Sequence, residues 1–253
     1  MEYIGVIFNF FIFLLGLCIG SFLNCLIYRI EENKNFFNDR SFCPNCKHSL
    51  NWKDLFPIFS FLFLGGKCRY CRKNISWQYP IVELITGVIF LLISLQVTSY
   101  LPKNILFLFF WLYIASSLII IFIYDLKHYL IPDNILLPAI IISFLLYWQN
   151  WLAALIAAGF FFIIWAISSG RWMGFGDVKL AILMGFLLGL PNVIVALFIA
   201  FFSGSIVGVL LMAYKKGNLK SEIPFGPFLI FGIFVAFFWG KYISSWYLNL
   251  YLF

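Results

Sequence analysis

Long apolar runs bounded by short polar breaks fill most of the chain. Crossing a bilayer as a helix takes about 20 mostly apolar residues. Runs of that kind fall at 4–28, 79–98, 104–124, 134–149, 150–169, 178–190, 192–213 and 226–247. Two of the underlying stretches, 135–169 and 180–213, are each about 35 residues long, too long for one span and a little short for two. Each therefore predicts a tight helical hairpin. Trp148-Gln149-Asn150-Trp151 interrupts the first and Gly189-Leu190-Pro191-Asn192 the second. The pattern predicts an all-α polytopic membrane protein with about eight transmembrane helices.

The positive-inside rule supports the hairpins. Counted over eight spans, one side of the membrane receives Arg29, Lys34, Arg40, Lys47, Lys53, Lys67, Arg69, Arg72, Lys73, Lys127, Arg171, Lys179, Lys215, Lys216 and Lys220, which is 15 of the 17 basic residues. Only Lys103 and Lys241 fall on the other. Merging either hairpin into one span would put basic loops on both faces. The basic side is read as cytoplasmic, with both termini outside. The first run lacks a basic start and a small-residue cleavage site and ends in Asn24 and Arg29, so it is expected to be a retained span.

Composition sharpens the class. Of 253 residues, 64% are hydrophobic, 22% aromatic and 11% charged, and the mean hydropathy is +1.00, far from a soluble globule. The net charge of +7 follows topology and forms no compact patch interleaved with aromatics, so no nucleic-acid partner is expected. With so few polar residues near the spans, those present mark where to look for function.

The only sizeable extramembrane segment, 29–78, holds Cys43-Pro44-Asn45-Cys46 and Cys68-Arg69-Tyr70-Cys71. Two thiolates two residues apart bite one metal from a tight turn, and two such turns complete a tetrahedral soft set suited to zinc. A reducing cytoplasm disfavours the competing disulfides. The site is closed, which points to a structural zinc held by Cys43, Cys46, Cys68 and Cys71. Cys18 and Cys25 in the first span are read as small packing residues. The expected division is a first transmembrane helix (1–28), a cytoplasmic zinc-binding domain (29–78) and a seven-helix membrane core (79–253).

Three acids stand at cytoplasmic ends of spans: Asp125, Asp133 and Asp177. Asp125 ends the third span and Asp177 opens the sixth after Gly174-Phe175-Gly176, so the two share a depth and a face. Such a pair resists ionising together, and one acid polarises water while the other stays protonated. Gly174 and Gly176 remove bulk and permit unusual backbone angles beside a substrate strand. Structural roles compete with this reading: Asp177 also suits a helix cap, and Asp125 an ion pair with Lys127 or Lys179. Asp133, after Pro132 and before an apolar run, is read as an N-cap. Glu83 in the second span is a candidate functional acid with no role assigned. His128 is read as solvated, and two histidines without a supporting motif argue against serine or cysteine proteolysis.

These residues resemble the type IV prepilin peptidase family, the leader peptidase/N-methyltransferases, over nearly the whole chain. The resemblance lies in Gly20-Ser21-Phe22-Leu23-Asn24-Cys25, in the segment from Cys43 to Cys71 and on through Tyr79-Pro80-Ile81-Val82-Glu83, in Asp125 to Ile131-Pro132-Asp133, in Gly174-Phe175-Gly176-Asp177 and in Ile223-Pro224-Phe225-Gly226-Pro227. It implies an aspartic protease of the bacterial cytoplasmic (inner) membrane that cuts the basic leader from prepilins or pseudopilins at the cytoplasmic face, with catalysis carried by Asp125 and Asp177. In bifunctional members it also implies methylation of the new N-terminus from S-adenosylmethionine. No glycine-rich nucleotide loop of the usual kind is visible for that second activity.

The alternative is a small-molecule or ion transporter with acidic coupling sites. Transporters often carry internal repeats and mid-membrane polar residues, whereas these aspartates lie at span ends. Ser203, Gly204, Ser205 and Gly208 suggest a close helix contact along the seventh span.

Overall fold

The apolar runs fold as helices that stop at the polar breaks, because within hydrocarbon every backbone N–H and C=O must be satisfied inside its own segment. The structure, a computed structural model, describes residues 2–32, 41–100, 105–214 and 223–251. Lys34, Arg40, Lys103, Lys215, Lys216 and Lys220 of the charge count lie outside them. The long helices are α1 (Glu2–Glu31), α3 (Gln78–Tyr100), α4 (Ile105–His128), α5 (Asp133–Tyr147), α6 (Trp151–Ser168), α7 (Phe175–Leu188), α8 (Asn192–Tyr214) and α9 (Gly226–Tyr251); α2 is one short turn at Phe59–Phe63. Six stretches among the described residues are long and apolar enough to cross a membrane, with Asp133–Ser168 as a single stretch and α7 not among them. Eight long helices therefore match the expected count, but α5 and α7 are not full-length spans.

The chain forms two compact units, Met1–Ile120 and Ile121–Phe253. In the first, α1 packs along α3 through small residues. A methyl group on Gly16 would come 2.7 Å from the Gly87 Cα, and one on Gly20 would come 2.7 Å from the Glu83 Cα. In lipid, such close backbone approach and interhelical hydrogen bonds replace the hydrophobic effect as the source of helix association. The bonds are present: Asn24 Nδ2 donates to the Tyr79 carbonyl at 3.2 Å, Gln78 Nε2 to Asn24 Oδ1 at 3.3 Å, and Ser94 Oγ to Asn9 Oδ1 at 2.6 Å. Cys18, expected to pack, is exposed instead.

In the second unit α7 is the central helix, and nine of its 14 residues are buried. At 1.5 Å per residue it is about 21 Å long, against about 30 Å of hydrocarbon. It can be that short because protein surrounds it. Gly185 lets α7 press against the α6 backbone at Ala153 and Ala154. The break between α5 and α6 is a single 3-10 turn, Trp148–Asn150, and Asn150 Nδ2 donates to the Phe186 carbonyl at 2.8 Å. Asn150 also abuts Gly189, so the two polar interruptions meet at one end of this unit. The α8–α9 contact runs through Ala196 and Ala200 against Gly232. Of the stripe Ser203 to Gly208, Gly204 takes part in it, meeting the rings of Phe225 and of Phe228 in α9, while Gly208 has open space around it.

Candidate active site and metal centre

Asp125 lies in the last turn of α4. That helix ends when Tyr129 turns to φ 56° with its N–H on the Asp125 carbonyl at 2.9 Å, a left-handed stop. The reversal carries Ile131 back across the helix ends. Asp177 is the third residue of α7, whose N-cap is Gly174. Both carboxylates are buried, at 5% and 8% exposure, and they lie close enough for their charges to interact.

Three glycines shape the space between them. A methyl group on Gly176 would come 3.1 Å from Ile131 Cβ, and one on Gly226 would come 3.6 Å from Ile131 Cδ1 and 2.5 Å from Asp125 Oδ2. Ile131 thus sits against the glycine beside each aspartate. The Gly226 N–H, an otherwise orphan donor at the start of α9, bonds the Asp125 carboxylate. The Gly174 N–H does the same for Asp177. Helix N-termini favour negative charge, so each acid has one backbone donor to hold it. Gly174 is extended at φ −74° and ψ 151°, and neither Gly174 nor Gly176 has positive φ. The expectation of unusual backbone angles is corrected: at Gly176 it is space beside Ile131 that requires glycine.

Asp133 is not the N-cap. Pro132 holds that position, no side-chain cap bond forms there, and both Asp133 oxygens accept from Lys179 Nζ at 2.8 Å. The pair joins the first turn of α5 to the second turn of α7. Lys179, one of two cations weighed as a partner for Asp125, is therefore engaged elsewhere. His128 is exposed and lies against the Tyr124 ring. Gly226 and Ile131 were not singled out as site residues from sequence. The signal for Gly226 was the pair Gly226-Pro227 at the head of a span, where proline is tolerated and the preceding N–H is left free.

Glu83 is buried on α3. Its carboxylate accepts the Ile58 N–H at 2.7 Å and also the Ser21 hydroxyl of α1. It joins α1, α3 and the loop between them, all within the first unit.

The four loop cysteines converge, with their sulfurs within 4.8 Å of one another and Cys43 and Cys71 at 4.0 Å. A tetrahedral ion with bonds of about 2.3 Å would want sulfurs about 3.8 Å apart, so the set fits one metal. The two knuckles are built alike. In each, the first cysteine's carbonyl accepts from the residue four later (Lys47, Arg72) and its N–H donates to the carbonyl five later (His48, Lys73). Lys47 and Arg72 both take positive φ, at 58° and 56°. Burial works against the Cys43 thiolate, but the Cys46 and Asn45 N–H groups and neighbouring thiols outweigh it and bring Cys43 down to about 7. The Lys73 N–H favours ionising Cys71, yet burial and the other three thiols push it up to about 11. Four crowded thiolates of this kind are reconciled by a cation. Nearby, Asp54 accepts from Arg69 Nε at 2.6 Å, the Tyr70 hydroxyl at 3.1 Å and the Asn51 N–H at 3.1 Å, which pins residues 51–54 to the second knuckle.

Comparison with known proteins places both parts of this arrangement. Residues 14–97 match the Bacterial Peptidase A24 N-terminal domain and residues 112–209 match the Type IV leader peptidase family. Among curated proteins, the chain is 34% identical to a prepilin leader peptidase/N-methyltransferase of Bacillus subtilis, over 94% of this chain and 97% of that one. Proteins of the same name from Legionella pneumophila (32%; 93% of each chain) and Aeromonas salmonicida (29%; 94% and 93%) align as fully. No solved structure matches. A buried aspartate pair within the matched segment 112–209, four converging cysteines within 14–97 and near end-to-end alignment with these relatives lead to one assignment: the chain belongs to the type IV leader peptidase family.

Proposed function

We propose that this multi-pass membrane peptidase removes the basic leader of type IV prepilins or pseudopilins by a two-aspartate mechanism, with Asp125 and Asp177 as the reacting acids. The observation that carries the reading is two buried carboxylates on different helices, near enough for the charge of Asp125 to act on Asp177, each with one backbone N–H facing it. Two acids so placed share one proton. The ionised one takes a proton from water as its oxygen bonds to the scissile carbonyl carbon; the other protonates the carbonyl oxygen. Collapse of the tetrahedral adduct breaks the C–N bond, and the departing amine takes a proton from the dyad. Gly226 and Gly174 orient the carboxylates, and Gly176 and Ile131 shape the approach.

The cysteine cluster is read as a structural zinc site, supported by its soft four-sulfur donor set. The basic side of the membrane, with the cysteine loop and both aspartates, is read as the cytoplasmic face of the bacterial inner membrane on the charge asymmetry. The relatives' names include N-methyltransferase, an activity that draws on S-adenosylmethionine. The aromatic groove of the cysteine loop carries Lys53 and Arg69 at its wall, which does not suit a sulfonium cation, and no methyl-transfer step is assigned to it. The aspartates' place at helix ends gives no support to a transporter.

The test is cleavage of a prepilin-like substrate in membranes. Asp125→Asn and Asp177→Asn should each lose at least about 100-fold in rate. Full activity in either variant would overturn the dyad.

A further inference from the structure

The loop between α1 and α3 carries an apolar surface that neither the metal centre nor the dyad explains. Phe63 is 87% exposed, Trp52 72%, Trp77 68% and Leu62 63%, with Phe56 and Phe59 about half exposed. Trp52, Phe56, Phe59 and Phe63 line one groove and Leu62 and Trp77 a second, and exposed apolar side chains gathered in this way mark an interaction surface. Its depth is given by Glu83, which lies five residues into the membrane-crossing helix α3, or about 7.5 Å along its axis. The Glu83 carboxylate holds the Ile58 N–H at 2.7 Å, and Ile58, at φ 60° and ψ −50°, is the centre of a γ-turn closed by the Phe59 N–H on the Pro57 carbonyl at 2.6 Å, a strained conformation for a β-branched residue. The bond thus draws the loop down beside the span. The ring of Phe61 lies 5.0 Å from that of Trp77, immediately before α3, where tryptophan favours the headgroup region. Exposed Lys53 and Lys67 flank the patch, placed to reach lipid phosphates.

We propose that residues 56–64 form an interfacial docking segment that inserts its aromatic side chains into the phospholipid headgroup–acyl boundary beside α3, with Glu83 as its positioning residue. On the same α3 that holds the segment through Glu83, Leu84, Val88 and Leu92 are exposed. A segment that binds the interface in this way buries its apolar face there and keeps its cations at headgroup level. The loop is then a membrane-seated platform and not a freely solvated domain.

Photocrosslinking of the full-length protein in native membranes tests this. The photoreactive residue p-benzoylphenylalanine replaces Phe63, Leu92 of α3 as a lipid-facing reference, or exposed Ser49 of the first knuckle, which lines neither groove, as an aqueous reference. Irradiation should add a phospholipid mass at 63 and 92 and none at 49. Glu83→Ala should lose the adduct at 63 while keeping that at 92, and Glu83→Gln, which retains an acceptor for the Ile58 N–H, should restore it. A position 63 that behaves like 49, or that crosslinks to a polypeptide, including a second copy of this chain, overturns the docking. An adduct at 63 unchanged in Glu83→Ala overturns the role of Glu83.

Discussion

Gly226 stands so close to Asp125 that a methyl group there would lie 2.5 Å from Oδ2, while its N–H bonds the same carboxylate. The start of α9 is thereby a wall and a donor for one acid of the dyad. Gly226→Ala should displace Asp125 and keep the fold, because Gly226 is at a helix end where the rest of α9 need not move. A misplacement of about 1 Å is enough to cost about 100-fold in rate. Cleavage should fall by that order while the melting temperature in detergent changes little. A Gly226→Ala enzyme cleaving at the normal rate would show that Asp125 has no need of this contact.

Lys179 and Asp133 make a two-oxygen ion pair, with side-chain exposures of 26% and 50%. Half-exposed pairs are worth about 0.2 to 1 kcal/mol, since water and salt screen them. A double-mutant cycle on Lys179→Ala and Asp133→Ala should therefore give a coupling energy in that range. Cleavage by each single variant should stay within a few-fold of the parent. Loss of activity comparable to that of Asp177→Asn in either variant would move the pair into the reaction itself.

The helices, the two polar breaks between them and the cysteine quartet were legible in the chain because each is written in local signals: run length, a Trp-Gln-Asn break, and paired Cys-x2-Cys. The aspartates were legible as acids at span ends, where any charge is conspicuous. What escaped depends on distances between segments far apart in sequence. Nothing near Lys179 announces that it will reach Asp133, 46 residues away, and the cap position went to Pro132 because its fixed backbone can flank a helix without a side-chain bond. Glu83 finds its partner in the backbone of Ile58, a group that every residue but proline possesses. The small-residue stripe in α8 was legible in part: composition marks where helices can approach, and Gly204 does meet Phe228 of α9, but the register of α9 puts the closest approach at Gly232 opposite Ala196.

Asp54 gives the cysteine loop a defined pH response. Burial works against its charge, but the Arg69 guanidinium, the Asn51 N–H and the Tyr70 hydroxyl outweigh it and hold the carboxyl below the ordinary range. A depressed folded value means that the stabilisation is fully present above the unfolded value of about 3.9 and is lost as pH falls through the lower folded value. The protection factors of residues 51–54 and 69–70, which are intrinsic exchange rates at each pH divided by the observed ones, should stay flat from neutrality to about pH 4 and fall below it. Asp54→Asn should remove that acid limb and raise exchange at neutral pH. An acid limb that persists in Asp54→Asn would assign it to another group.

The cysteine quartet predicts one metal per chain with thiolate ligation. Cys43 and Cys68 are buried and Cys71 is half-buried, so removing one ligand leaves three thiols crowded without the charge that balances them. In Cys43→Ser, purified under reducing conditions, bound zinc should fall from about one equivalent to near zero. Cobalt substitution of the parent should give the intense ligand-to-metal absorption of a four-sulfur tetrahedral site, and Cys43→Ser should not. Because the two knuckles are alike, Cys68→Ser should behave as Cys43→Ser does, with the loop between them becoming open to protease in both. Ligand binding to metal releases protons from thiols, so zinc uptake by stripped protein should weaken progressively as pH falls. Full zinc occupancy in both serine variants would show that the cluster does not hold the ion.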